Sequence, residues 1–234
     1  MASANFTTLD DSLDQASLVR GVTSGVGRPN GGGSFCLGFK SLDTAVGAAG
    51  LFCNSAGCAP YAQGAQVSAA LEKLVCGGAT GWSAFLFACL GGTSVTNTAY
   101  MLGISDGAPA HIVLRKGALS DGLIDATPGI SGVLARSSIA IPLGQWVHLR
   151  LDVIANLNGD VLLQAFMNDL TAHTVASPTW TAIPGIANMV DDVTQIVSGS
   201  APLVGGRSGF AVQKSDVNRV AAVDYVHLEA QTAP

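Results

Sequence analysis

Carboxylates, histidines, cysteines and tryptophans are the side chains of this sequence that could do chemistry. A retaining glycosidase holds two carboxylates about 5–5.5 Å apart, which an E-x-D-x-x-E run on one strand face would supply. No such run occurs: the glutamates are Glu72 and Glu229, far apart in the chain. Asp191 and Asp192 are adjacent, so a strand would point them to opposite faces. A serine nucleophile needs a base and an orienter beside it. The chain has no G-x-S-x-G elbow, and His111, His148, His173 and His227 are scattered. Neither H-E-x-x-H nor two histidines with a carboxylate appears at ligand spacing. The reading is non-enzymatic, with no catalytic residue assigned.

The cysteines are Cys36, Cys53, Cys58, Cys76 and Cys89, an odd count that argues for reduced, buried thiols. Cys53 and Cys58 are close enough to close a small loop, and are the candidate disulfide after release from a cell. A zinc site would need two further ligands that no compact Cys/His cluster supplies. Calcium is the metal best suited to the oxygen-rich positions Asn168/Asp169 and Asn188/Asp191/Asp192. Such residues also form turns, so no cofactor and no metal ligand is assigned. Sugar recognition uses exposed aromatic rings. Trp82 and Trp146 begin strands and are expected as core anchors, whereas Trp180 lies in a Thr-flanked loop, as a candidate glycan or interface contact.

The elements that must position these groups are strands. In QWVHLRLDV, Val147, Leu149, Leu151 and Val153 alternate with His148, Arg150 and Asp152, the period of a strand with one buried and one wet face. His148 and His227 are accordingly expected to face solvent. Asn158-Gly159 supplies the reversal, and Val161 to Asn168 returns as the second arm of a hairpin. Further strands are expected at 34–40, 82–90, 99–105, 110–116, 132–141, 205–213 and 220–229, separated by Gly, Pro, Asn and Asp. Ser12 to Arg20 suits a short helix, and Gly21 to Gly33 a loop or linker, so residues 1–33 read as a Gly-rich N-terminal arm. Val67 to Cys76 suits a helical turn or two by propensity, or an insertion loop. Residues 34–234 then form a single all-β domain, an antiparallel β-sandwich or jelly roll.

Only 12% of residues are charged while 48% are hydrophobic, with mean hydropathy +0.42. No run approaches the ~18–20 apolar residues of a membrane span, so no membrane partner is expected. Net charge −5 disfavours nucleic acid, which needs a basic footprint. The apolar surplus suits either small residues buried in a sandwich or faces covered by other subunits. MASANFTTLDDSLDQ lacks the basic start and apolar stretch of a secretory signal.

The series WVHLRLDV, NGDVLLQAFMNDL, GRSGFAV and AAVDYVHLEA resembles the second half of concanavalin A-like lectin/glucanase domains, over about residues 80–230. In laminin-G-like and pentraxin-like members a Trp opens a strand, a Gly turn leads to its partner, and a Gly-x-x-Gly-aromatic strand and an Asp-bearing strand follow. Those places are similar to Trp146, Gly159, Gly206/Gly209/Phe210 and Asp224. More narrowly, AHIVLRKG followed by WVHLRLDVIANLNGDV resembles virion structural proteins of tailed bacteriophages. The resemblance implies a concanavalin A-like fold. It further implies a non-enzymatic virion component, in capsid decoration or in a tail or fibre, made in the host cytoplasm. Its partners would be other virion proteins, in a homo-oligomer or larger assembly. The alternative it implies is a lectin-like module that binds a host surface glycan.

Overall fold

A computed structural model of the chain describes residues 6–8, 18–23, 29–32, 36–41, 47–53, 64–75, 82–192, 200–214 and 219–230. The strands are β1 (Phe6–Thr8), β2 (Leu18–Thr23), β3 (Cys36–Ser41), β4 (Gly47–Cys53), β5 (Gly64–Val75), β6 (Trp82–Leu90), β7 (Thr98–Ile104) and β8 (Ala110–Ala118). They continue as β9 (Val133–Ile141), β10 (Trp146–Ala155), β11 (Val161–Asn168), β12 (Trp180–Ala182), β13 (Met189–Asp191), β14 (Arg207–Lys214) and β15 (Arg219–Ala230). A 7-stranded sheet runs β1-β4-β14-β6-β7-β8-β9. An 8-stranded sheet runs β12-β11-β10-β5-β15-β3-β2, with β13 pairing β11 beside β12. Every pairing among the described strands is antiparallel. The architecture is an all-β antiparallel sandwich.

The period of two decides which residues meet between the sheets. From the larger sheet, Val67, Ala69 and Leu71 of β5 join Leu149, Leu151 and Val153 of β10 and Leu163 of β11. From the smaller sheet, Leu86, Leu102, Ile104, Ile112 and Leu114 face them. The central hairpin follows its sequence: Ala155 pairs Val161, and Gly159 turns at φ 92°.

The smaller sheet is buried on its outer face too. Phe85, Phe87, Met101 and Val113 pack there under Leu119, Leu123 and Val133. Arg115, 5% exposed, fastens that cover by donating to the carbonyls of Ser131 (2.7 Å) and Gly122 (2.5 Å) and to Asp121 Oδ2 (3.1 Å). This is why SAFLFACL reads as an unbroken apolar run, since a strand covered on both faces has no wet side. Much of the chain's apolar surplus lies in these two cores.

Three readings change. Residues 67–75 are neither helix nor insertion loop: they belong to β5, the strand between β10 and β15. Helix propensity is a weak prior, and burial of Val67, Ala69 and Leu71 along one strand face overrides it. Leu18–Arg20, expected at the end of a short helix, opens β2 instead, because the β3 edge offers it a ladder. Trp180 lies on β12 rather than in a loop. Within the stretch read as an arm, β1 and β2 extend the two sheets. Cys53 lies on β4, while Cys58 is outside the described residues, as is the side chain of Trp82.

Candidate functional site

The outer face of the larger sheet is where its polar residues collect, and the strand register arranges them in rows. One row runs Trp180 (β12), Asn168 (β11) and His148 (β10). The next runs Phe166, Arg150, Ser68 and His227, and a third runs Gln164, Asp152, Gln66 and Glu229. Arg150 and Asp152 share a face because they are two residues apart on one strand.

Over these rows the segment from Asp169 to Thr179 folds back before β12 begins. Asp169 starts it with a side-chain turn, its Oδ1 accepting from Thr171 N (2.9 Å) and Oγ1 (2.7 Å). Those bonds hold its carboxyl below the usual range. Residues 29–32 brace the segment from outside: Val175 N donates to Asn30 O at 2.8 Å and Asn30 Nδ2 to His173 O at 3.1 Å. From inside it is held by Asn168, 2% exposed. Asn168 Oδ1 accepts from Thr179 N (3.0 Å), so Nδ2 is free to donate to Thr174 O (3.1 Å) and His148 Nδ1 (3.2 Å). His148 is therefore the tautomer with its proton on Nε2.

The result is a cleft of about 220 Å³. Gln66, Ser68, His148, Arg150 and His227 form its floor, and Val175, Pro178 and Trp180 its wall. Trp180 is half-buried, and its ring meets His148 at 4.6 Å, tilted by 58°. The Arg150 guanidinium lies over Phe166 at 4.5 Å and over Trp180 at 5.4 Å, within cation–π range of both. It donates from Nε (3.0 Å) and Nη2 (2.7 Å) to the two oxygens of Asp152. Nη1 has no hydrogen bond among the described residues. His148 is 1% exposed, and burial pushes its pKa down to about 4, so the ring is neutral at pH 7.

Sequence reasoning singled out Trp180, and the structure sets it on the wall of this cleft. It did not connect Trp180 with His148, Arg150 or Gln66, because those contacts depend on the register of four strands. One signal was readable: opposite charges at Arg150 and Asp152, on one strand face. The expectation that His148 faces solvent is corrected, because the 169–179 segment and Trp180 roof it over; His227 is exposed as expected. Trp146 is not a core anchor. It is half-buried at the end of β10, lining a second cleft of about 330 Å³ with Pro29, Asn30 and Asp169.

The oxygen-rich positions weighed for calcium have other partners. Asp191 is buried between the sheets, where Oδ2 accepts from Lys116 Nζ at 2.7 Å and from the Tyr100 hydroxyl at 2.5 Å. Asn188 Oδ1 accepts from Gln164 Nε2 at 2.6 Å. Among the described residues no three His, Cys, Asp or Glu side chains gather as a metal site would need.

No protein-family model matches this chain, and no curated protein matches it in sequence. Solved structures do share its fold. The marine PL-14 alginate lyase from Aplysia kurodai superposes with a TM-score of 0.57 at 10% identity, over 96% of this chain and 90% of that one. The cellulose-induced protein Cip1 gives 0.52 at 13% identity, over 97% and 99% of the two chains. The carbohydrate-binding module CBM66 from Bacillus subtilis gives 0.51 at 10% identity, over 92% and 96%. The fold is thus a β-sandwich of the jelly-roll kind that carbohydrate-binding modules and alginate lyases also adopt.

Proposed function

We propose that this protein is a carbohydrate-binding module whose site is the cleft on the outer face of the larger sheet. The observation that carries this reading is a half-buried tryptophan set beside a guanidinium, an amide and a histidine across neighbouring strands. A sugar presents apolar C–H faces and hydroxyl edges. Trp180 offers a flat apolar surface with low conformational entropy to lose. Gln66 and Arg150 offer polar groups to fix orientation, the combination a small-ligand pocket needs. CBM66 and the alginate lyase, by name a carbohydrate-binding module and an enzyme of a polysaccharide, share this fold.

The module is proposed as non-catalytic. The described lining of the cleft holds no carboxylate, and burial keeps the His148 imidazole neutral. His148 Nδ1 already accepts from Asn168, and the ring lies beneath Trp180. This reading takes precedence over a virion component acting through subunit contacts. The apolar surplus that favoured covered faces lies largely in the two cores, and the large exposed apolar side chains Ile130, Leu143, Leu157, Val190 and Val204 sit on separate segments.

The test is affinity electrophoresis and calorimetry against a panel of soluble polysaccharides, with Trp180→Ala as the variant. Binding by the parent, weakened at least about tenfold in the variant (~1.4 kcal/mol) at unchanged circular dichroism, is the expected result. A parent that binds no glycan, or a variant that binds as well, overturns the proposal.

A further inference from the structure

We infer that the ligand of this cleft is an acidic glycan, one carrying carboxylate or sulfate groups, and that Arg150 is the residue that selects it. The inference rests on the carbohydrate-binding reading and adds the chemical class of the sugar. Its first support is how the guanidinium is used. Arg150 meets Asp152 through Nε and Nη2, which leaves Nη1 with no hydrogen bond among the described residues. The arginine side chain is 22% exposed while that of Asp152 is 7% exposed, so the carboxylate stands behind the arginine and the guanidinium faces the cleft. The Phe166 and Trp180 rings lie within 4.5 and 5.4 Å of the guanidinium, and such partly buried surroundings strengthen any charge-assisted bond its edge makes. A planar carboxylate or a sulfate is the group whose oxygens match such an edge.

The second support is the sorting of charge. The chain carries 16 acidic and 11 basic residues, yet Arg150 is the charged side chain in the described lining of the cleft, and no carboxylate is in that lining, with Glu229 paired to Gln66 at the next strand. His227 follows Arg150 across Ser68 in the same row, which gives the direction that a chain laid across the strands would take. Asp152 alone faces Arg150 from its own strand. It orients the guanidinium and, by cancelling part of its charge, makes recognition depend on geometry rather than on bulk attraction.

The experiment compares one polymer in two charge states: polygalacturonate against its methyl-esterified form, and a sulfated galactan against its desulfated form. Each is titrated into the parent, Arg150→Lys and Arg150→Gln by calorimetry at low and moderate salt. The expected result is that the parent prefers at least one acidic form over its neutral counterpart by about tenfold or more, as one charge-assisted bond would give. In Arg150→Gln that acid-to-neutral ratio collapses towards unity, whatever the overall loss. Arg150→Lys keeps the charge but not the fork, and recovers only part of the ratio. Equal affinity of the parent for both forms of each pair overturns this inference and leaves the carbohydrate-binding reading standing. Failure of the parent to bind any glycan overturns both. Should Arg150→Gln not fold, the paired polymers on the parent, with Arg150→Lys, still decide.

Discussion

Acid should unfasten this site before it unfolds the sandwich core, and His148 is the group that sets the pH. Its folded pKa lies at about 4 against an ordinary value of 6.5, because burial disfavours the imidazolium. The folded state therefore refuses a proton that the unfolded chain accepts. The stability this contributes is present above the unfolded pKa and is lost as pH falls through 6.5 towards 4. Linkage gives about 1.36 kcal/mol per unit of separation, hence about 2 kcal/mol lost between pH 7.5 and 5 and about 1 more by pH 4. For a domain of this size, about 2 kcal/mol corresponds to a fall in Tm of roughly 4–8 °C. Protonation at Nδ1 also turns an acceptor into a donor facing Asn168 Nδ2, so the hub that holds Thr174 O loosens with it. The assay is equilibrium urea unfolding at half-unit pH steps, on the parent and on His148→Gln, whose amide oxygen can still accept from Asn168 but does not titrate in this range. The difference between the two curves isolates His148 from the carboxylates and the other histidines. Parallel curves from pH 7.5 to 5 would refute the reasoning.

Two further perturbations test how the sheets are held together. Asp191→Ala takes away the counter-charge of the buried Lys116 ammonium, which keeps its bond to Ser200 O, and removes the acceptor of the Tyr100 hydroxyl. It should cost about 3–5 kcal/mol, while Lys116→Met with Asp191→Leu should recover most of that loss; thermal and urea unfolding read both, and a single variant as stable as the parent refutes the pairing. Gly103→Ala should cost about 1–3 kcal/mol, because its Cβ would run into the backbone of β6 at Ala84 and Phe85; an unchanged urea midpoint would show that β6 and β7 can part without loss.

How much of this was legible in the sequence depends on whether a residue's role is local. The alternation of Val147 to Val153, the Asn158-Gly159 turn and the longer strands from Trp82 onward are local patterns, and they read correctly, whereas the three-residue strands β12 and β13 read as loop. β5 did not, because Ala69, Ala70 and Leu71 suit a helix as well as a strand, and only the neighbours β10 and β15 settle the matter. Trp146 reads as a core anchor and Trp180 as a glycan or interface contact, yet what surrounds each depends on segments distant in the chain: residues 29–32 for one, Asn168 and Arg150 for the other. Asp191 is the sharpest case. Its sequence context suggests a turn or a metal ligand, whereas its partner, Lys116, lies on the opposite sheet.

The outer face of the larger sheet shows why those non-local contacts concentrate at one place. A sandwich needs only its inner faces buried, and the outer rows of β10 and β11 could have remained exposed. Here His148, Asp152 and Asn168 are nonetheless buried, at 1%, 5% and 2% exposure. Burying polar groups is unfavourable unless each is paired. The pairs are made by Arg150 with Asp152 and by Asn168 with Thr179 N and Thr174 O, which together fix the 169–179 segment and Trp180. A fold stabilised only by its core would gain nothing from this second, polar layer. A binding site gains rigidity: the tryptophan and the guanidinium are held in place before any ligand arrives, so that less ordering entropy opposes association. Nη1 of Arg150, with no hydrogen bond among the described residues, is then a donor on an arginine that lines the cleft, and that is where ligand chemistry should be sought first.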